Sequence, residues 1–290
     1  MTTIRLGDNQ YGKAETHVVR ITKGQTHDIK DLNVSIALAG DFAESHLEGD
    51  NSKVVPTDTQ KNTVFAFASE PVGEAEEFAL KLGRHFVKEF AAVKRARVTI
   101  EEFPWVRISV GGKRSPDAFM RRGAEKRLVL VTCTKDEEWV VAGLSDLVVL
   151  KSAGSEFWGF PKDRYTTLQE THDRILATAV TARWRYASAT TIDWGKSYDE
   201  ARRVLLETFA VRRSLALQQT LYDMGEEVLV SRPEVAEIRL AMSNKHHFAV
   251  DLTPFGLDNT NEVFYAADRP YGLIEGTVVR DDAPDGALAW

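Results

Sequence analysis

Apolar and polar residues alternate over Ala14–Ile21 and Leu32–Leu38, runs rich in β-branched residues and divided by the turn-prone Lys23-Gly24-Gln25, so an antiparallel pair is predicted to open the chain. Two helices are predicted next. Thr57–Ala68 begins with N-cap residue types, and from Glu74 onward Phe78, Leu82, His85, Phe86 and Phe90 recur every three or four positions. Arg97–Phe103 and Lys126–Cys133 read as strands on either side of a loop holding Gly111-Gly112 and Ser115-Pro116. The first half therefore spells strand, strand, helix, helix, strand, strand.

The second half repeats that order. Trp139–Leu150 is apolar and β-branched, Ala179–Ile192 alternates, and one long helical segment is predicted from Ser197 toward Leu229. Ser197-x-x-Glu200 has the form of a capping box, and Leu205, Phe209, Leu217, Leu221 and Met224 mark its apolar stripe. Past Pro233, the runs Ile238–Met242, His247–Leu252 and Thr277–Arg280 read as strands. The boundary between the halves falls near Thr134–Glu138. Lys151–Leu168 is too aromatic for a passive linker and too broken by Gly and Pro for a helix, and long ordered loops usually carry function.

Composition narrows the class. The 290 residues are 43% hydrophobic and 28% charged, enough for one large core or two ordinary ones in a water-soluble chain. The net charge is −6 with both signs interspersed, so no basic stripe offers itself to a phosphate backbone and nucleic acid is excluded as a partner. Cys133 is alone, which excludes an intrachain disulfide and a cysteine-built zinc site and fits a reducing cytoplasm. Met1–Gln10 lacks an apolar signal region, and no run approaches the roughly 18–20 apolar residues of a membrane span. Asp281–Trp290 is rich in Pro, Gly and acid; it is expected to fray, and it does not end in a Ser-Lys-Leu address.

No GxGxxG, GxxxxGK[ST], HExxH, CxxC or GxSxG motif occurs, so the common cofactor and hydrolase readings lack their parts. His246 and His247 would point to opposite faces of a strand, one buried and one exposed, and could not easily share a metal. Singly, the other candidates are bland. Lys13 reads as a surface charge, Thr57-Asp58 as a helix N-cap, Phe157-Trp158-Gly159-Phe160 as core filler, Arg174 as an ion-pair partner, and Gln218-Gln219 as exposed helix.

Together, however, all of these but Gln218-Gln219 lie in blocks that resemble the urate oxidase (uricase) family, and Leu217-Gln218 resembles that family's aliphatic-Gln pair. The blocks are Tyr11-Gly12-Lys13, Asp50-Asn51-Ser52, Thr57-Asp58-Thr59-Gln60-Lys61-Asn62-Thr63, Leu150-Lys151-Ser152, Ser155-Glu156-Phe157-Trp158-Gly159-Phe160, Tyr165-Thr166-Thr167-Leu168, Asp173-Arg174-Ile175-Leu176 and Asn244-Lys245-His246-His247-Phe248. The resemblance runs from about Gln10 to Thr277 and is weaker from Glu74 to Trp139.

The resemblance implies an α+β fold of tandem tunnelling-fold (T-fold) modules, residues 1–136 and 137–290. Their antiparallel sheets carry helices on one face and assemble into a homotetrameric barrel with a central channel. It implies oxidation of urate by O2 and water to 5-hydroxyisourate and hydrogen peroxide, with no metal and no organic cofactor. Lys13, Thr57 and His246 would form a proton relay, and Arg174 and Gln218 a clamp on the planar anion. Phe157 would stack on the purine, with Leu168 and Leu217 completing the walls and the Asp58 N–H bonding the substrate edge. Asn244 and Thr57 would hold O2 or water above the ring. Lys13, Thr57 and Asp58 would come from one subunit and Phe157, Arg174, Gln218, Asn244 and His246 from its neighbour, leaving monomers inactive.

That chemistry suits the residue types. Arginine offers a planar fork for two parallel bonds to one edge of an anion, and glutamine a donor and an acceptor to another. A threonine hydroxyl is a poor base alone and needs a neighbour, here a lysine, to take its proton. Gln219 beside Gln218 leaves a slip of one open, Pro56 stiffens the entry to the helix, and His247 stands where relatives carry an aromatic residue.

Overall fold

Tyr11–Thr22 (β1) and Asp28–Gly40 (β2) pair antiparallel, with Val18 opposite Leu32 and Tyr11 opposite Leu38. Leu32, Val34, Ile36 and Leu38 alternate into the core, as a half-buried strand demands. The structure, a computed structural model, describes residues 3–190 and 192–290. Thr191, inside the strand predicted over Ala179–Ile192, and Met1 and Thr2, inside the Met1–Gln10 reading, lie outside the described residues.

Two compact units are present. The first comprises Met1–Gly143, Arg185–Gly195 and Pro284–Trp290. After a short helix, Ala43–Leu47 (α1), come Thr57–Phe67 (α2) and Ala75–Glu89 (α3), then Val93–Glu102 (β3) and Lys126–Thr134 (β6). The sheet order is β1-β2-β3-β6, all antiparallel where paired, with α2 packed on β1 and α3 on β3 and β6. Gly83 lets α3 lie close to the sheet, since a Cβ there would stand 2.7 Å from the Cys133 sulfur. Burial pushes that thiol up to about 12, so it is unreactive at neutral pH.

A hairpin that the periodicity does not predict, Trp105–Val110 (β4) with Lys113–Arg121 (β5), stands between β3 and β6. Gly111 and Gly112, with φ of 57° and 77°, make its two-residue turn. The buried Asp31 carboxylate anchors this hairpin, accepting from Trp105 Nε1 at 2.9 Å and Arg121 Nη1 at 3.0 Å. The start of α3 is likewise fixed by charge. A capping box joins Glu74 and Glu77, and Arg127, held charged by carboxylates around it, bonds Glu74 at 2.6 Å and the fully buried Glu76 at 2.7 Å. Removing one partner from such a buried pair costs about 3–5 kcal/mol.

The C-terminal segment is docked rather than frayed. Ala289 is buried, Arg97 Nη2 donates to the carbonyls of Leu288 (3.2 Å) and Trp290 (2.7 Å), and Trp139 Nε1 donates to Asp285 O at 3.4 Å. Composition misses this because the anchors lie far away in sequence.

The second unit comprises Leu144–Trp184 and Lys196–Ala283. Its strands, Glu138–Lys151 (β7), Leu176–Tyr186 (β8), Val235–Asn244 (β9) and Leu273–Val279 (β12), follow the order β7-β8-β9-β12, and β7 and β8 each have an end in the first unit. The predicted single helix is two, Trp194–Val211 (α4) and Leu217–Ser231 (α5). Between them Ser214 leaves the helical path, its N–H donating to Gly154 O at 3.0 Å and its carbonyl accepting from Glu156 N–H at 2.7 Å. Ser197 is not a cap either. It lies inside α4, buried, with its hydroxyl on Glu234 at 2.8 Å.

Between β9 and β12 a hairpin of His246–Ala249 (β10) and Phe264–Ala267 (β11) replaces the strand predicted over His247–Leu252. The last strand starts at Leu273, not Thr277. In chain order each half thus runs two strands, two long helices and two strands, with a hairpin inserted between the last two. The α+β class is as the sequence predicts. No helix among the described residues is long and apolar enough to cross a membrane.

Candidate active site

The first unit carries Lys13, Thr57 and Asp58. Gly12 is needed beside Lys13, because a Cβ there would stand 1.8 Å from the Ile36 carbonyl oxygen. The pairing with β2 then slips between Lys13 and Thr16, where Glu15 takes φ of 55°, so the half-buried Lys13 borders a β-bulge. Tyr11 links this bulge to the helix. Its hydroxyl accepts from Val55 N–H at 2.7 Å, two residues before Thr57, and its ring meets Phe42 edge-on at 5.0 Å.

Pro56 occupies the N-cap of α2 and has no side-chain donor or acceptor with which to cap it. The N-cap reading of Thr57-Asp58 is therefore corrected: Thr57 is the first helical residue, exposed, in a turn whose N–H groups have no intrahelical acceptor. Asp58 turns its carboxylate back onto Lys61 and, at 2.9 Å, Asn62. Lys61 holds this carboxyl below its ordinary value.

The second unit carries the rest. Phe157 N–H donates to Thr171 O at 2.8 Å, and Thr171 N–H returns the bond at 2.9 Å, so the aromatic loop is laced to the segment before Arg174. Arg174 N–H donates to Ser155 O at 2.9 Å, and its guanidinium lies 5.1 Å from the Phe157 ring centre. Arg174 is half-buried, its Nε is buried without a partner, and burial pulls the group down with no carboxylate set against it among the described residues. The surface ion-pair reading of Arg174 fails on that geometry. Phe160 stacks on Phe157 at 5.0 Å and 17°, backing one face of the ring.

Leu217 and Gln218 open α5 because Ser214 ends the preceding helix; Leu217 is buried and Gln218 exposed. Gln219 is spent locally, accepting Leu215 N–H at 3.0 Å, which leaves Gln218 as the clamp candidate. Asn244 closes β9 with its N–H on Gly272 O at 2.9 Å and its side-chain oxygen buried and unpaired. His246 and His247 are both half-buried, not one in and one out. His247 is tied to Lys245 O at 2.9 Å, whereas His246 stacks on Phe248 at 5.7 Å, and Phe248 in turn lies 5.3 Å from Tyr265. Leu168 is exposed.

A family profile described as uricase matches residues 9–132 and 140–275, which include every candidate residue. The chain belongs to the uricase family. It is 52% identical to the uricase of Arthrobacter globiformis over all of its own length and 94% of that relative's, and 37% identical to the uricase of Dictyostelium discoideum over 94% and 96%. The crystal structure of the Arthrobacter uricase superposes with a TM-score of 0.93, covering 98% of each chain. The chain is accordingly an oxidoreductase of that family. A half-buried guanidinium beside an aromatic face has the chemistry to receive a planar anion. Sequence reasoning gives no role to two residues beside the candidates: Tyr11, which ties β1 to the loop before Thr57, and Glu156, whose partner Arg213 lies far along the chain.

Proposed function

We propose that the protein oxidises urate with O2 and water to 5-hydroxyisourate and hydrogen peroxide, as a cytoplasmic step of purine breakdown that uses neither metal nor organic cofactor. The observation that carries this reading is Arg174, half-buried, without an acidic partner among the described residues and set against Phe157 in a member of the uricase family. Urate dianion is electron-rich enough to pass an electron to O2 directly. The protein's tasks are then to deprotonate the purine, hold it in plane and deliver water. Arg174 and Gln218 clamp opposite edges, Phe157 stacks on the ring, Leu168 and Leu217 bound it, and the Asp58 N–H bonds its edge. Asn244 and Thr57 hold O2 or water, while Lys13, Thr57 and His246 relay protons.

In the proposed assembly the modules 1–136 and 137–290 are T-fold repeats. Subunits form a homotetrameric barrel around a channel, and each site takes Lys13, Thr57 and Asp58 from one subunit and the remaining groups from its neighbour. The test is loss of urate's ultraviolet absorbance under air by protein treated with chelator and desalted. One peroxide per urate consumed is expected. A protein that binds urate but releases no peroxide, or that needs added metal, contradicts the proposal.

A further inference from the structure

Glu156 sits between Ser155 and Phe157, and its side chain is only 10% exposed. One oxygen accepts from Arg213, with Nε at 2.6 Å and Nη2 at 2.5 Å. The other accepts from Trp158 Nε1 at 2.8 Å and faces His172 Nδ1 at 3.5 Å. Trp158 and Arg213 together hold the carboxyl below the usual carboxylate range, so it stays ionised at neutral pH.

Three segments of the second unit therefore meet on one carboxylate, and each carries a substrate residue. Phe157 follows Glu156, Arg174 lies just past His172, and Gln218 lies at the head of α5 just past Arg213. Backbone bonds run alongside: Glu156 N–H to Ser214 O at 2.7 Å, and Arg174 N–H to Ser155 O at 2.9 Å. Arg213 Nη2 also reaches His172 O at 3.4 Å, and Trp158 leans on the His172 ring at 5.5 Å.

We propose that Glu156 is a positioning residue that fixes Phe157, Arg174 and Gln218 relative to one another without touching substrate. The inference rests on the urate-binding role given to those three residues. Bonds between backbone groups leave the loop free to rock about its ladder, whereas a carboxylate gripped from several directions fixes the angle at which the stacking ring meets the clamp. The proton relay has no member in this network. Loss of Glu156 should therefore loosen the hold on the purine and spare the proton transfers.

The test combines steady-state kinetics with anaerobic titration of urate, in which the absence of O2 stops turnover and leaves binding alone. Glu156→Ala is expected to raise both KM and the anaerobic dissociation constant roughly ten-fold or more, the scale on which slight misplacement acts, with kcat within about three-fold of the parent. Glu156→Gln keeps one acceptor oxygen, enough for Arg213 or for Trp158 but not for both, and should recover only part of the affinity. Arg213→Met, at an exposed side chain that should not impair folding, is expected to weaken binding in the same direction. Arg212→Met, whose side chain pairs with Glu227 at 2.7 Å outside the network, should change nothing. Unchanged urate affinity in folded Glu156→Ala or in Arg213→Met overturns the inference, as does a collapse of kcat at constant affinity. If the parent protein itself fails to bind urate, the functional reading fails instead, so the two failures are distinguishable.

Discussion

Lys13→Met lowers turnover of urate by roughly 100- to 10,000-fold while leaving anaerobic urate binding nearly intact, on the scale of a lost general acid–base group. In the proposed relay Lys13 would accept a proton through the Thr57 hydroxyl, and methionine keeps the length of the stem without the amine. The backbone around Lys13 is fixed locally. Gly12 allows the close approach to Ile36, the bulge after Lys13 ends the regular pairing, and Tyr11 ties the strand to the loop before Thr57. Binding should survive because the groups assigned to the purine edge and face lie on other elements. Steady-state kinetics beside anaerobic titration check both halves. Parent-like turnover by Lys13→Met would remove lysine from the relay.

Arg174→Ala has the opposite signature. Two charge-assisted bonds to an anion at about 1.5–3 kcal/mol each imply that affinity falls by roughly 100-fold or more. Lysine at 174 should not restore it, since a point charge cannot reproduce the two parallel bonds of the guanidinium fork. The environment sharpens this expectation. Arg174 has its Nε buried and unpaired and no carboxylate against it among the described residues, so its removal leaves no orphaned acid to confuse the result. The check is the anaerobic dissociation constant of urate for parent, Arg174→Ala and Arg174→Lys. Recovery by lysine would mean that charge alone, not geometry, holds the substrate.

Much of the architecture is readable from periodicity because β2 and β3 bury alternate residues along much of their length, β6 holds a continuous apolar run and α3 buries one stripe. Where sequence reading fails, the cause is tertiary. Nothing in Arg212–Ala216 forbids a helix, and the break is made by Ser214 bonding to Gly154 and Glu156. The hairpin β4–β5 carries charge on both strands, which hides its alternation, although Gly111-Gly112 signals its turn. For the site, composition and spacing alone leave Lys13, Thr57 and Arg174 as ordinary surface residues, and their significance comes from the blocks around them. The fold adds one reason to prefer Gln218 over Gln219, since the Gln219 oxygen accepts Leu215 N–H. Glu156 could not be singled out in advance, because Arg213 lies 57 residues away in the chain.

The net charge of −6 gives an anionic substrate no long-range attraction, so local cations must supply it. Lys13 and Arg174 would do so, and in the proposed assembly they belong to different subunits of one site. Co-assembly of Lys13→Met chains with Arg174→Ala chains tests this directly. With urate held well below the raised KM of Arg174→Ala, each variant alone has little activity, but in an equal mixture of randomly assembled subunits about one site in four receives an intact half from each parent. Refolding the two together is predicted to restore roughly a quarter of parental activity. Absence of any recovery in a mixed tetramer shown to contain both chains would contradict a site shared between subunits.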